Sequence, residues 1–381
     1  MEPKIRLKGF CGEWEETTYG ETVTINSGMD YKHLSAGKIP VYGTGGYMLS
    51  VNESLSDTDA IGIGRKGTID KPQLLKAPFW TVDTLFFMTP KNGNNLNFLF
   101  SLSQRTNWKK YDESTGVPSL SKVNIAKIDI SLPKKDEQYA IASYFQHLDS
   151  LIQSTSKKIE ALKQVKAASL QTLFPQEGET TPRVRFKGFE REWEKVTLGD
   201  CLTINNERNQ NNVYGINDVL SVSDEVGVVN QIKLLGRSYA GKSVANYRVL
   251  KTNQIVYTKS PLKSKPYGIV KVNKGSVGIV SVLYAVYDAK DDVCPDYIHY
   301  YFDPTYRINN YLLPLINKGA KNTMNISDEM ALTGSIWIPS YKEQQKISDY
   351  LHVLDSQISL HTQRLEKLKQ IKSACLDNMF V

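Results

Sequence analysis

The 381-residue sequence predicts an α+β fold: a tandem duplication of a β-rich domain followed by a long helix, the two helices forming an antiparallel coiled coil with pseudo-twofold symmetry. Three observations carry this expectation. Two pairs of segments repeat along the chain, the stretches between them do not match, and each repeated C-terminal segment holds an uninterrupted heptad of apolar positions.

The first repeat opens each copy. RLKGFCGEWEETTYGE begins at Arg6 and RFKGFEREWEKVTLGD at Arg185, a shift of 179 positions. A longer match closes each copy: PKKDEQYAIASYFQHLDSLIQSTSKKIEALKQVKAASLQTLF from Pro133 pairs with PSYKEQQKISDYLHVLDSQISLHTQRLEKLKQIKSACLDNMF from Pro339, a shift of 206. The two shifts differ by 27, so the second middle is longer by that many residues. Neither middle aligns with the other. The first, about Thr22 to Ala126, holds strand-like runs such as DTDAIGIG and PFWTVDTLFFM. The second, about Leu202 to Leu332, holds QIVYT, YGIVKV and GSVGIVSVLYAVY. Runs rich in β-branched and aromatic residues, punctuated by Gly and Asn, predict a β-rich unit in each. FPQEGETTPR, Phe174 to Arg183, links the copies. The expected organisation is a domain at 1–133, a helix at 134–175, a linker at 176–184, a second domain at 185–340 and a second helix at 341–381.

In the first helix the apolar seam steps by four and three through Ile141, Phe145, Leu148, Ile152, Thr155, Ile159, Leu162, Lys166, Ser169 and Leu173. The second repeats it through Ile347, Leu351, Leu354, Ile358, His361, Leu365, Leu368, Lys372, Cys375 and Met379. A parallel, in-register pair would face Lys166 with Lys372, two like charges in reduced dielectric. Antiparallel pairing avoids this and relates the copies by a twofold axis across the coil. Roughly 39 helical residues span on the order of 58 Å, enough to hold two domains apart. His361 stands where the other copy has Thr155, which reads as a tolerated polar seam residue rather than a metal ligand.

Composition narrows the class. Hydrophobic residues at 40% and charged residues at 23% suit a globular protein rather than a disordered one. No apolar run approaches the roughly 18 residues of a membrane span. MEPKIRLKGF lacks the apolar core of a secretory signal, so the expected location is the cytoplasm. Cys11, Cys201, Cys294 and Cys375 are scattered, with no CxxC spacing, and read as reduced thiols. A net charge of +7 permits a polyanionic partner without identifying one.

With duplication, order and spacing on hand, the chain resembles the specificity subunits of Type I restriction-modification systems, in which two variable target-recognition domains alternate with two helical regions. The likeness extends over essentially the whole chain. It rests on RLKGF and RFKGF followed by EW, on IPVYGTGG at 39–46, and on IGRKGTID joined later to PFWTVDTLFF. NYRVLKTNQIVYTKSPLKSKPYGIV, GIVSVLYAVY and a proline followed by Glu-Gln at each helix entry add to it. The resemblance implies that each domain reads one half of a split double-stranded DNA target. It also implies that the helices set the spacing and dock two methyltransferase subunits, which a motor-nuclease subunit then joins. The cofactors S-adenosylmethionine, ATP and Mg belong, on this reading, to those partners, and this chain carries none.

Candidate DNA contacts follow from residue type. GIGRKG, Gly62 to Gly67, matches GxGxxG literally, but Thr, Ile and Asp follow where a dinucleotide loop needs a helix. Arg65 and Lys66 on a glycine-flanked turn suit a phosphate or a guanine edge instead; the plainer reading is a solvated basic turn. In the second domain Lys259, Ser260, Lys263, Lys265 and Tyr267 cluster between strand-like runs. Polar stretches at Ser114 and Thr115, and at Lys318, Lys321 and Asn322, precede the matched Leu120 and Ile326. Tyr42, Thr44 and Trp80 are weaker candidates, since aromatic residues of β domains are more often core.

The sequence has no NPPY-like or DPPY-like tetrapeptide to hold an extruded base, no Walker A loop and no HExxH. A non-catalytic, sequence-reading subunit is therefore expected. A coiled-coil adaptor whose β domains bind proteins is the main rival, separable by salt, because only cation-phosphate binding weakens steeply by counterion release. A self-sufficient methyltransferase or nuclease is the other.

Overall fold

The computed structural model describes residues 2–241, 243–260, 262, 264–318 and 324–381. The chain divides into two compact units, Met1–Lys158 with His361–Val381, and Ile159–Leu360. Two β-rich domains are each followed by a long helix, Lys135–Thr172 and Tyr341–Asn378.

In the first unit the opening repeat forms a strand, Glu15–Thr18, that pairs antiparallel with Asp129–Leu132 just before the long helix. The domain is thus closed by its own two ends. Its central sheet is four-stranded and antiparallel, in the spatial order Val23–Ser27, Leu85–Pro90, Ala60–Gly64, Gln73–Leu75. Every residue of AIGIG is buried, as are the first four of LFFMTP, so these strands read as continuous apolar runs rather than alternating ones. A second, three-stranded sheet joins Gly46–Val51, Ala36–Gly43 and Trp80–Thr81. The helix Leu96–Arg105 starts at Asn95, whose side chain accepts from the amides of Asn97 and Phe98 and so satisfies two otherwise unpaired helical donors.

Ile141, Phe145 and Leu148 of the first long helix are buried in this unit's core with Trp14, Phe98, Met379 and Phe380. Tyr144 meets Cys375 at 3.4 Å, and the ammonium of Lys372 meets Asp149 at 2.6 Å. Advancing along the first helix therefore means retreating along the second: the pair is antiparallel. Ile152, Leu365 and Leu368 are half-buried along the same face.

The second unit repeats the plan. Glu194–Thr197 pairs with Ser335–Ile338, and the central sheet has the order Leu202–Ile204, Ala285–Ala289, Ile255–Tyr257, Val270–Val272. That is the same connectivity as in the first unit, built from sequences with no visible alignment. Where the first unit has its three-stranded sheet, the second has the hairpin Leu220–Ser223 and Gly227–Asn230, the short helix Gln231–Leu235, and the pair Arg248–Leu250 with Gly278–Val280. Here Lys166 meets Asp355 at 2.8 Å and Ser169 meets Tyr350 at 3.3 Å, again an antiparallel run. Ile159, Leu162, Leu173, Ile347, Leu351 and Leu354 are buried, and Ile358 is half-buried.

The repeated motifs are fasteners. Arg6 makes a two-pronged ion pair with Glu137, both contacts at 2.8 Å, and Arg185 does the same with Glu343 at 2.7 and 2.8 Å. Next to each glutamate a buried glutamine pins a helix start: Gln138 accepts from the Asn95 amide, Gln344 from the Cys294 amide, and each donates to the proline carbonyl five residues back. The Ile5 amide reaches the Asn378 carbonyl, as Val184 reaches Thr172. Phe380 completes the core around Trp14 and Phe174 the core around Trp193. Both indole nitrogens are buried with no hydrogen-bond acceptor among the described residues, so the duplication preserves this feature too.

Candidate nucleic-acid interface

In the first unit the candidate residues converge. Strand Ala60–Gly64 ends in the Arg65–Gly67 turn, and the glycines of GIGRKG have packing reasons. A Cβ on Gly62 would lie 3.1 Å from Leu75, one on Gly64 would overlap the Thr68 carbonyl at 2.0 Å, and Gly67 has φ +93°. No helix follows, so this is a turn at the end of a central strand rather than a dinucleotide loop. The turn is sewn to the loop at 112–121. The Leu120 amide donates to the Arg65 carbonyl at 2.9 Å, the Gly67 amide to Pro118 at 2.8 Å, and Lys66 bridges to Ser119.

The loop itself is held by two carboxylates. Asp112 accepts from the amides of Ser114 and Ser119 and from the Ser114 hydroxyl; Glu113 accepts from Ser121 and Asn124. The Ser119 and Ser114 amides hold the Asp112 carboxyl below its ordinary range. Thr44 lies beside Gly67, and its carbonyl, with that of Gly43, accepts from Gln73. Tyr42 is half-buried with its ring edge-on to exposed Tyr47 at 6.4 Å. Arg65, Lys66 and Thr115 are exposed, and Ser114 half-exposed, on this face. Trp80 is core: 5% exposed, it donates to the Met29 carbonyl.

The second unit treats its candidates differently. Lys259 has φ +46° and its ammonium lies 2.6 Å from Asp328, which Arg248 also meets at 2.5 Å. Lys265 is buried, 2.9 Å from Asp224 and donating to the Asp303 carbonyl at 2.7 Å. Both ammonium groups are engaged by internal acceptors. Ser260 and Tyr267 are half-exposed, and the Tyr267 carbonyl accepts from Tyr257. Lys318 lies in the two-residue strand Asn317–Lys318, whereas Lys263, Lys321 and Asn322 lie outside the described residues.

Asp303 gathers three cations, Lys271 at 3.2 Å, Lys166 at 3.1 Å and Lys265 at 4.0 Å, beside half-buried His299. Burial opposes ionisation of Asp303, but His299 and these lysines outweigh it and hold the carboxyl far below its usual range. Burial, with Lys271 adding to it, lowers His299 to about 4, so the ring is neutral near pH 7.

Sequence reasoning missed two groups on exposed faces. Lys122 lies 5.8 Å from the Phe86 ring that Arg65 also approaches at 5.9 Å, and Arg237 stacks on exposed Tyr239 at 4.6 Å. Neither carries a spacing signal, because the partners meet only in three dimensions or over a single intervening residue. Among the described residues there is no group of three or more His, Cys, Asp or Glu side chains able to hold a metal ion. None of their helices is long and apolar enough to cross a membrane.

Against known proteins, the chain resembles a Type I restriction enzyme specificity subunit, MjaVIII, of Methanocaldococcus jannaschii, at 26% identity over 155 residues, covering 39% of this chain and 34% of that one. A putative specificity subunit of the same organism, MjaX, is 23% identical over 275 residues, covering 68% and 60%. The chain thus spans about one third to three fifths of these relatives. In fold it is similar to the crystal structure of a Type I restriction-modification S subunit from M. genitalium, with a TM-score of 0.67 at 13% identity, covering 100% of this chain and 99% of that one. A family model, the Type I restriction modification DNA specificity domain, matches twice, at residues 12–164 and 190–370, once over each duplicated half, and the chain belongs to that family.

Proposed function

We propose that this chain is the non-catalytic specificity subunit of a Type I restriction-modification assembly. Each domain, at 1–133 and 185–340, reads one half of an asymmetric, bipartite double-stranded DNA target. The helices at 134–175 and 341–381 set the distance between the halves under a pseudo-twofold relation and dock two methyltransferase subunits, through which motor-nuclease subunits join. Methyl transfer with S-adenosylmethionine and cleavage driven by ATP and Mg take place in those partners.

The single observation that carries this reading is that identical fasteners surround unlike domain middles. A frame used twice, with different loops on it, suits a reader of two different half-sites. In the first domain Arg65, Lys66, Ser114, Thr115, Thr44 and Tyr42 form the candidate face. In the second, Ser260, Tyr267 and Lys318 remain, while Lys259 and Lys265 serve the loop's internal order.

The test is long-read mapping of modified adenines in cells with and without this gene. Two short, unlike half-sites separated by a fixed number of indifferent bases are expected, about one helical turn apart. A continuous palindrome, or no change on deletion, overturns the reading. Replacing residues 22–126 by the corresponding segment of another family member should change one half-site only.

A further inference from the structure

We infer that Arg65 and Lys122 form one clamp for a single DNA phosphate, mounted on the Phe86 ring. This rests on the DNA-reading function proposed above and assigns a ligand group to one part of that face. The two cations come from different elements, the Arg65–Gly67 turn and the first residue of the helix Lys122–Ala126, yet both stand over the same ring, at 5.9 and 5.8 Å. Phe86 is a buried residue of the central sheet, so the mount is rigid. Among the described residues neither cation lies within ion-pair distance of a carboxylate. Exposed Asp83 offers Arg65 only its backbone carbonyl, at 3.3 Å.

Both roots are fixed. The Arg65 amide donates to the Thr84 carbonyl at 2.8 Å, and its own carbonyl accepts from Leu120, two residues before Lys122. Ser121 caps the helix that Lys122 begins, and Glu113 holds Ser121 in turn. Two like charges gathered by the fold on one ring, neither paired with a carboxylate of the described residues, are arranged for an anion brought from outside. A guanidinium fork beside a compact ammonium supplies two different donor sets to one oxyanion. A guanine edge, whose O6 and N7 a lone arginine satisfies, has no use for the lysine.

The test uses the full chain and a duplex holding the target defined by adenine mapping. Arg65→Gln and Lys122→Gln should each weaken binding, and because the two cations neutralise a single phosphate the pair together should reduce the slope of log affinity against log salt by about one, with base preference unchanged. Lys157→Gln on the long helix, a change of equal charge, should leave the slope alone. A methylphosphonate scan of the duplex should find one phosphate whose neutralisation weakens the unmodified protein at least several-fold and does nothing further to the double variant. The clamp is refuted if no phosphate couples to these residues, if Lys157→Gln matches Lys122→Gln, or if Arg65→Gln relaxes the choice of one base. If the unmodified chain shows no preference for the mapped duplex, it is the DNA-reading function itself that fails.

Discussion

The two units differ in how they hold the equivalent lysines of their long helices, although the sequence around those lysines is duplicated. In the first unit Lys372 meets one acceptor, Asp149, which is nearly half exposed. In the second, Lys166 meets the equivalent Asp355 and also Asp303, a largely buried carboxylate at the C-terminus of the helix Pro295–Phe302 that further binds Lys271 and Lys265. Asp224, at the tip of the hairpin present only in the second unit, bridges the same two lysines at 3.4 and 2.9 Å. Beside the Arg–Glu fasteners, the repeated frame fixes one lysine–aspartate pair in each unit. Asp303, joined by Asp224 of the hairpin, turns that pair in the second unit into the end of a network that ties the second domain to the helix Lys135–Thr172 by charge as well as by apolar packing.

The largest expected effect tests what the units share. Arg6→Ala and Arg185→Ala each strand a glutamate with a side chain no more than 3% exposed, so each should cost about 3–5 kcal/mol in denaturant unfolding. Unequal losses would break the equivalence of the two fasteners. Next comes a test confined to the second unit, on His299. Its folded pKa of about 4 lies below the unfolded value near 6.5, so the unfolded chain takes up a proton first as pH falls. Stability should drop by on the order of 3 kcal/mol between about pH 6.5 and 4, and His299→Gln should remove that part of the fall. An unchanged pH profile in the variant would show that the ring titrates alike in both states. The smallest effect separates the lysines: Lys166→Met should cost about 1–3 kcal/mol, because Asp303 stays buried, whereas Lys372→Met should cost under about 1 kcal/mol, because water reaches Asp149. Equal costs would mean that the Asp303 network adds nothing.

Legibility in the sequence followed from how local each feature is. The long helices were readable because a heptad declares both their length and their buried face, and the clash of Lys166 with Lys372 pointed to antiparallel pairing. The repeats were readable, but their purpose was not. Arg6 and Glu137 lie 131 residues apart, and nothing in RLKGF or DEQ says that one clamps the other. The common order of the central sheets was invisible for a different reason. Strands such as AIGIG and IVY are buried, and any apolar residue of suitable size serves there, so the two middles kept a topology without keeping a sequence.

The candidate site shows the same division. The Arg65–Gly67 turn was legible from its glycines and charges, and the structure sets it beside Thr44 and the loop at 112–121. Lys122 was not, since a lysine opening a five-residue helix looks like any surface residue. Lys259 and Lys265 were legible only as cations in a loop; whether a loop cation points outward or meets Asp328, Asp224 or Asp303 depends on segments 38 to 69 residues away in sequence.

By itself the sequence determined the duplication, the β-rich character of each domain, the extent of the helices and the sense in which they pair, because periodicity and repetition are read along the chain without knowing which distant residues touch. Only the tertiary structure decided that the end of each long helix completes the core around the other copy's opening repeat, Phe174 beside Trp193 and Phe380 beside Trp14. It alone decided which cations are neutralised inside and which, among the described residues, have no carboxylate partner. Those outcomes depend on the desolvation and pairing of groups distant in the chain, and a charge acquires its meaning only from what the fold places against it.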